Sequence, residues 1–189
     1  GLAVVVRLAS GYRAAAWLGL AFGVGYAGVS LLWQTMIRTE SYLGLTLVVA
    51  LFSAALAPML RRVRTVPFEP VWSACCWTLT ELVLQYWPFG GFQWLRLGYT
   101  MVDSPLAGFY PFTGAASVTF FVALIGHLLA RAVLNRTGRD ALVAAAATIG
   151  VLLAGWAGTR WSPDAASTGT VPVGYVQGGA PGGGIYGLG

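Results

Sequence analysis

The sequence predicts an all-α polytopic membrane protein, a bundle of about five spanning helices. Of its 189 residues, 57% are hydrophobic and 9% are charged, whereas an ordinary soluble domain is about one quarter charged. The mean hydropathy is +0.72. Long apolar runs recur along the chain, and a helix needs about 20 mostly apolar residues to cross the hydrocarbon core of a bilayer. Lipid is therefore expected to be the main solvent of the folded chain.

Five apolar runs qualify as spanning helices, because irregular backbone exposed to lipid leaves its hydrogen-bonding groups unsatisfied. The predicted spans lie at residues 14–33, 43–60, 71–87, 113–133 and 141–157. Together they define a predicted transmembrane helical domain over residues 1–161.

The basic residues assign the two sides of the membrane. All eleven are arginines, and positively charged residues accumulate in short cytoplasmic loops. Strict alternation along five spans leaves three on the outer side, Arg38, Arg96 and Arg160. The other eight fall on the inner side: Arg7, Arg13, Arg61, Arg62, Arg64, Arg131, Arg136 and Arg139. We therefore expect a cytoplasmic N-terminus, an extracytoplasmic C-terminus and no nucleic-acid partner.

The pattern changes after the fifth span. Residues 162–170 are rich in turn-forming types and predict a polar linker, and the run from Val171 to Gln177 predicts a short strand. Residues 171–189 are therefore expected to begin an extracytoplasmic domain.

The third predicted span carries a carboxylate, Glu81, that is costly to place in lipid. Ser73, Trp77, Glu81 and Gln85 recur every four residues, so they form one polar stripe on an apolar helix. An ionised residue in a span normally faces protein or a wet cavity. Two interpretations stay open: a substrate-cavity residue, or a buried acid that is satisfied by neighbouring donors and fixes helix packing.

An aromatic loop follows this span at the predicted outer interface. Gly90 and Gly91 allow a sharp turn that could direct Phe92 and Trp94 back towards the bundle. Tyr99 lies further along the same loop. We interpret the loop as lipid-handling, and the alternative is an ordinary belt of interfacial aromatic residues.

Cysteine and histidine offer little chemistry on their own. Cys75 and Cys76 are adjacent in an apolar run, and we expect both to be buried, inert thiols. His127 is the only histidine. Its role is either that of a proton relay, or that of helix packing or a headgroup contact. No metal or other cofactor is expected.

One tryptophan and five short motifs follow one another in this region: Trp77, Thr80-Glu81, Gly91-Phe92-Gln93-Trp94, Leu97-Gly98-Tyr99, Asp103-Ser104-Pro105-Leu106 and Pro111-Phe112-Thr113-Gly114. In order and spacing they resemble the motifs of apolipoprotein N-acyltransferases, a family of bacterial membrane enzymes. Val176-Gln177-Gly178 is similar to the opening of the family's nitrilase-like domain. Gln93 stands where the family usually has proline. The arginine-only, alanine-rich composition is similar to that of actinobacterial members.

The resemblance implies an acyltransferase of the bacterial plasma membrane that works without a cofactor. Its acyl donor would be a phospholipid, and its acceptor the diacylglyceryl-cysteine of an apolipoprotein. The family's Glu-Lys-Cys triad, which carries the acyl chain as a thioester, would lie beyond Gly189, so the 189 residues alone are expected to be inactive. We expect a monomer surrounded by membrane lipids.

The same resemblance implies lipid-binding or loop-supporting roles for six residues, Trp77, Glu81, Gly91, Phe92, Trp94 and Tyr99. Two other classes of function are considered. A transporter would spread polar residues over several spans, whereas here they concentrate in one helix and one loop. A noncatalytic membrane anchor would lack a thiol nucleophile in the complete gene.

Overall fold

The computed structural model describes residues 1–161 together with Pro172 and Gly174, and the described part is helical, with no strand. The predicted linker and most of the predicted strand lie outside the described residues. Six α-helices follow one another along the chain: α1 (Leu2–Leu8), α2 (Tyr12–Ser30), α3 (Thr39–Val63), α4 (Glu69–Leu84), α5 (Tyr110–Asn135) and α6 (Gly138–Thr159). Short 3₁₀ helices occupy Leu32–Met36, Leu97–Met101 and Pro105–Phe109.

Helix length and hydropathy confirm three of the five predicted spans. Within the described residues, three helical segments are long and apolar enough to cross a membrane: Thr39–Val63, Pro105–Asn135 and Gly138–Thr159. Helix α4 has 16 residues, which is short of the ~20 needed. Helix α2 has 19 residues, but Arg13, two tyrosines and several glycines dilute its apolar character. Five helices occur near the predicted positions, and three of them meet the requirements for a span.

Helix ends differ from the predicted ones because local chemistry sets them. Pro70 lies in the first turn of α4, where its missing N–H costs no hydrogen bond, so the helix begins before the apolar run. At its other end α4 stops at Leu84 instead of residue 87, ahead of Pro88. At the start of α6 the Thr137 hydroxyl accepts a hydrogen bond from the backbone N–H of Asp140 at 3.2 Å and caps the helix.

From α2 to α6, each helix packs against the next one in the chain, so α4 lies between α3 and α5. Helix α2 lies along α3, and α6 packs on α5 and on the 3₁₀ helix Pro105–Phe109. The α2–α3 contact is close because α2 presents small residues. A Cβ atom added at Gly19 would come within 2.4 Å of the Ser53 carbonyl oxygen, and one at Gly23 within 2.6 Å of the Ala50 Cα atom. Small residues are the usual means of close helix approach in membranes.

Candidate functional site

Glu81 lies on the inward face of α4 and is 9% exposed. Ser73 and Glu81 are buried on this face, and Trp77 between them is half-buried. The polar stripe predicted from the four-residue spacing thus faces protein. The helical period determines that Glu81 lies on this face. The elements packed against α4 determine which groups contact its carboxylate.

Three hydrogen bonds end on the Glu81 carboxylate. Oε1 accepts from the Trp77 indole N–H at 2.9 Å and from the backbone N–H of Leu97 at 3.0 Å. Oε2 accepts from the Thr119 hydroxyl of α5 at 2.8 Å. One side chain of α4 thereby contacts its own helix, the loop and α5. A buried carboxylate is tolerated when it is hydrogen-bonded in this way.

The positive partner of this carboxylate is Arg96. Its Nε atom lies 3.5 Å from Glu81 Oε2, and the arginine is 8% exposed. The guanidinium carbon also lies 5.9 Å from the centre of the Tyr99 ring, within the range of a cation–π contact. The sequence assigns Arg96 to an outer loop, but the structure buries it as the counter-charge of Glu81.

The loop is tied to α5 through the same network. The Gly98 N–H donates to the Thr119 hydroxyl oxygen at 3.0 Å, and that hydroxyl donates in turn to Glu81. The Tyr110 hydroxyl donates to the Gly98 carbonyl. Loop, α4 and α5 therefore share one buried set of hydrogen bonds, and Glu81 lies at its centre.

A tight turn begins the loop. Phe89, Gly90 and Gly91 have φ values of 56°, 87° and 88°, all in the left-handed region that glycine adopts most easily. The Gly91 N–H donates to the Pro88 carbonyl at 2.8 Å, and the Phe92 N–H donates to the Leu84 carbonyl at 2.8 Å. The turn thus returns the chain onto the end of α4.

The aromatic residues after the turn separate into two groups. Phe92 returns to the bundle as predicted and packs on the cluster that includes Leu84 and Val49. Trp94 does not become buried: it stacks on Trp33 with ring centres 5.0 Å apart and remains 67% exposed. Tyr99 is also exposed.

The space beside Glu81 is small. A cavity of about 30 Å³ touches Trp77, Glu81 and Tyr26, which is room for about one water molecule. Because both carboxylate oxygens are occupied and the space is this small, the geometry favours the buried, satisfied acid over the substrate-cavity residue.

A larger apolar groove lies between α3 and α4, beside the turn. Its volume is about 520 Å³, and the residues that line it carry no charge: Val48, Leu51, Phe52, Ala55, Val83, Trp87, Pro88 and Phe89. The rings of Phe52 and Trp87 lie 5.9 Å apart along this groove. The groove has no signature in the sequence, because its wall forms only when α3 and α4 pack together.

A buried acid at the other end of α4 was also missed. Glu69 is buried and pairs with Arg7, and it accepts from the Ser73 hydroxyl at 3.3 Å. The Nδ1 atom of buried His127 lies 3.8 Å from Glu69. One feature of the sequence could have indicated that Glu69 faces protein: it lies four residues before Ser73 and so extends the polar stripe of α4. This cluster favours the packing interpretation of His127.

The two cysteines do not form a buried pair. Cys75 is exposed on α4, contrary to the prediction, and Cys76 is half-buried. The helical period places adjacent residues about 100° apart, so one of them faces outwards. Among the described residues no group of three histidine, cysteine, aspartate or glutamate side chains could hold a metal ion.

The fold and the site together define the class: a polytopic helical membrane domain with a buried ion pair beneath an aromatic loop. A family model described as the apolipoprotein N-acyltransferase N-terminal domain matches residues 1–128. The chain therefore belongs to the apolipoprotein N-acyltransferase family, as its motifs indicated.

Relatives named apolipoprotein N-acyltransferase agree with this assignment. The one from Ralstonia nicotianae is 35% identical in an alignment of 173 positions that covers 82% of this chain and 32% of the relative. The one from Methylococcus capsulatus is 32% identical in an alignment of 189 positions that covers 88% of this chain and 36% of the relative. The one from Haemophilus ducreyi is 33% identical in an alignment of 132 positions that covers 64% of this chain and 26% of the relative. The chain thus spans about a quarter to a third of the length of these relatives.

Proposed function

We propose that residues 1–161 form the membrane portion of an enzyme that moves an acyl chain from a phospholipid to the diacylglyceryl-cysteine amino group of an apolipoprotein. In this proposal the membrane portion holds the acyl donor, and a nitrilase-like domain that begins near residue 171 supplies the nucleophile. The N-terminus is cytoplasmic and the C-terminus extracytoplasmic, on the basis of the arginine distribution. A thioester on that nucleophile divides one difficult transfer into two easier steps.

The observation that carries the proposal is the apolar groove between α3 and α4. Lipid tails are as apolar as the groove, so a chain can enter it from the bilayer at little cost in free energy. Its lining includes Trp87 and Phe89 of the turn, which places the groove next to the outer loop. An acyl chain held there has its ester end near the side on which the catalytic domain is proposed to lie.

The aromatic loop has a supporting role in this proposal. Phe92, Trp94 and Tyr99 shape the loop and contact acyl chains, and Gly91 supplies its turn. Trp77 and Glu81 hold the loop from below through the hydrogen bonds to Leu97 and Thr119. These residues are positioning residues, since none of them is proposed to touch the reacting atoms.

Filling the groove tests the proposal directly. In the full-length enzyme, Ala55→Trp is expected to slow thioester formation from phospholipid at least about tenfold, because the indole occupies the space of the chain and raises the barrier by about 1.4 kcal/mol. Ala55 is exposed on α3, so the fold should tolerate the change. Thioester accumulation is measured by mass spectrometry after mixing the enzyme with phospholipid.

The matched control is Ala145→Trp, the same change at an exposed position of α6 that does not line the groove. It should leave thioester formation unchanged. Equal rates for the wild type and both variants would refute the assignment of the groove to the acyl donor.

The role of Trp94 is tested by Trp94→Ala in the full-length enzyme. The change removes the stacking on Trp33, and aromatic pairs of this kind contribute about 0.5–1.5 kcal/mol. We expect thioester formation to slow by a factor of about three to ten, with a small change in melting temperature. Trp17→Ala, at a similarly exposed tryptophan of α2, is the control. Unchanged thioester formation and acyl transfer in Trp94→Ala would contradict the proposed role.

A further inference from the structure

Another cavity lies at the opposite end of the bundle, where the start of α4 meets the turn between α5 and α6. Its volume is about 350 Å³, within the usual range of ligand sites. Its wall is apolar and includes Val71, Leu128, Val143 and Ala147. The charged residues of the lining are two arginines, Arg131 and Arg139, and one acid, Asp140.

The charges of this lining do not cancel. The Arg131 Nε atom donates to Asp140 Oδ1 at 2.9 Å, and the Asn135 amide donates to Oδ2 at 2.7 Å, so both oxygens of the acid are occupied. Arg139 is exposed and makes no hydrogen bond or ion pair within residues 1–161. One positive charge therefore remains at the edge of an apolar cavity.

The surroundings are those of a membrane interface. Phe68, which also lines the cavity, is 79% exposed, and Leu142 and Val143 at the start of α6 are exposed as well. This end of the bundle carries the arginines of the predicted cytoplasmic side. A basic pocket between membrane helices on that side is a typical binding site for acidic lipid headgroups.

We propose that this cavity binds a phospholipid with an anionic headgroup in the inner leaflet. Arg139 pairs with the headgroup phosphate, assisted by Arg131, and an acyl chain lies along Leu128, Val143 and Ala147. This lipid is separate from the acyl donor, whose proposed groove lies at the other end of α4. A test of this site is therefore independent of a test of the proposed reaction.

Lipid retention by the full-length protein tests this site. The protein is placed in nanodiscs of equal parts phosphatidylglycerol and phosphatidylcholine, and the lipids that remain bound are counted by native mass spectrometry. The wild type is expected to retain phosphatidylglycerol preferentially. Arg139→Gln should lower the ratio of retained phosphatidylglycerol to phosphatidylcholine about fivefold, because it removes the charge that is proposed to pair with the headgroup phosphate in the cavity.

Two further variants separate the site from general charge. Arg62→Gln removes one charge from an exposed position on the same predicted side and should leave the ratio unchanged. Ala147→Leu fills the cavity without altering charge, and should reduce retention of both lipids. Equal retention of the two lipids by the wild type would overturn the proposal, as would equal effects of Arg139→Gln and Arg62→Gln.

Discussion

Replacing Glu81 by glutamine is expected to destabilise the membrane domain by about 3–5 kcal/mol, the usual cost of removing one partner of a buried ion pair. The change leaves Arg96 buried without a counter-charge. It also replaces one acceptor oxygen by an amide nitrogen, which faces the donors that surround the carboxylate. The measurement is the free energy of unfolding in detergent micelles, accompanied by thioester formation in the full-length enzyme.

A second change distinguishes the ion pair from a general loss of packing. Arg96→Gln alone should destabilise by a similar amount, whereas the double variant Glu81→Gln, Arg96→Gln should cost clearly less than the sum, because no unpaired buried charge remains. Glu40→Gln, at an exposed position of α3, is the charge-matched control and should change stability by no more than about 0.5 kcal/mol. Additive single effects would show that Glu81 and Arg96 are not coupled.

The helices could be located from the sequence because lipid imposes a simple requirement. A span needs a long apolar run, and such runs are visible without knowledge of tertiary structure. The ends of the helices depend on finer signals. Pro70 places the start of α4 two residues before the predicted start, and the hydroxyl of Thr137 caps α6 before the apolar run begins.

Helix length and hydropathy support three of the five predicted spans, and α2 shows why they do not decide the other cases. A run of mixed apolar and small residues, such as the one in α2, forms a helix whether lipid or neighbouring helices cover it. Gly19 and Gly23 allow close packing on α3, and the same two glycines lower the hydropathy on which a count of spans depends. Composition alone does not distinguish a helix that is covered by lipid from one that is covered by neighbouring helices.

The contacts within α4 could be predicted from the sequence, whereas the contacts between α4 and other elements could not. The four-residue spacing identified Trp77 and Glu81 as neighbours on one face, and the structure joins them by a hydrogen bond. Thr119 lies 38 residues further along the chain, and its approach to Glu81 depends on the rotation of α5 against α4. Strict alternation of the five predicted spans assigned Arg96 to an outer loop, and a count of spans cannot recognise a basic residue that folds back onto a buried acid.

The turn before the aromatic loop allows a sharp comparison between two adjacent glycines. Gly90 and Gly91 have nearly equal φ values, 87° and 88°, so alanine at either position meets the same backbone strain, about 1–2 kcal/mol. Their surroundings differ. A Cβ atom at Gly90 would have no heavy atom within 4 Å, whereas one at Gly91 would lie 1.9 Å from the Gln85 carbonyl oxygen.

Gly91→Ala is therefore expected to cost more than Gly90→Ala by about 1–3 kcal/mol, the usual range for overpacking a filled site. Relief of the clash requires the turn to move away from α4. Such a movement would break the hydrogen bond from the Phe92 N–H to the Leu84 carbonyl and shift the loop that rests on Glu81. Gly91→Ala should consequently also slow thioester formation in the full-length enzyme, and Gly90→Ala should leave it near the wild-type rate. If both alanine variants lose the same stability and the same activity, the close approach of Gly91 to α4 does not position the loop.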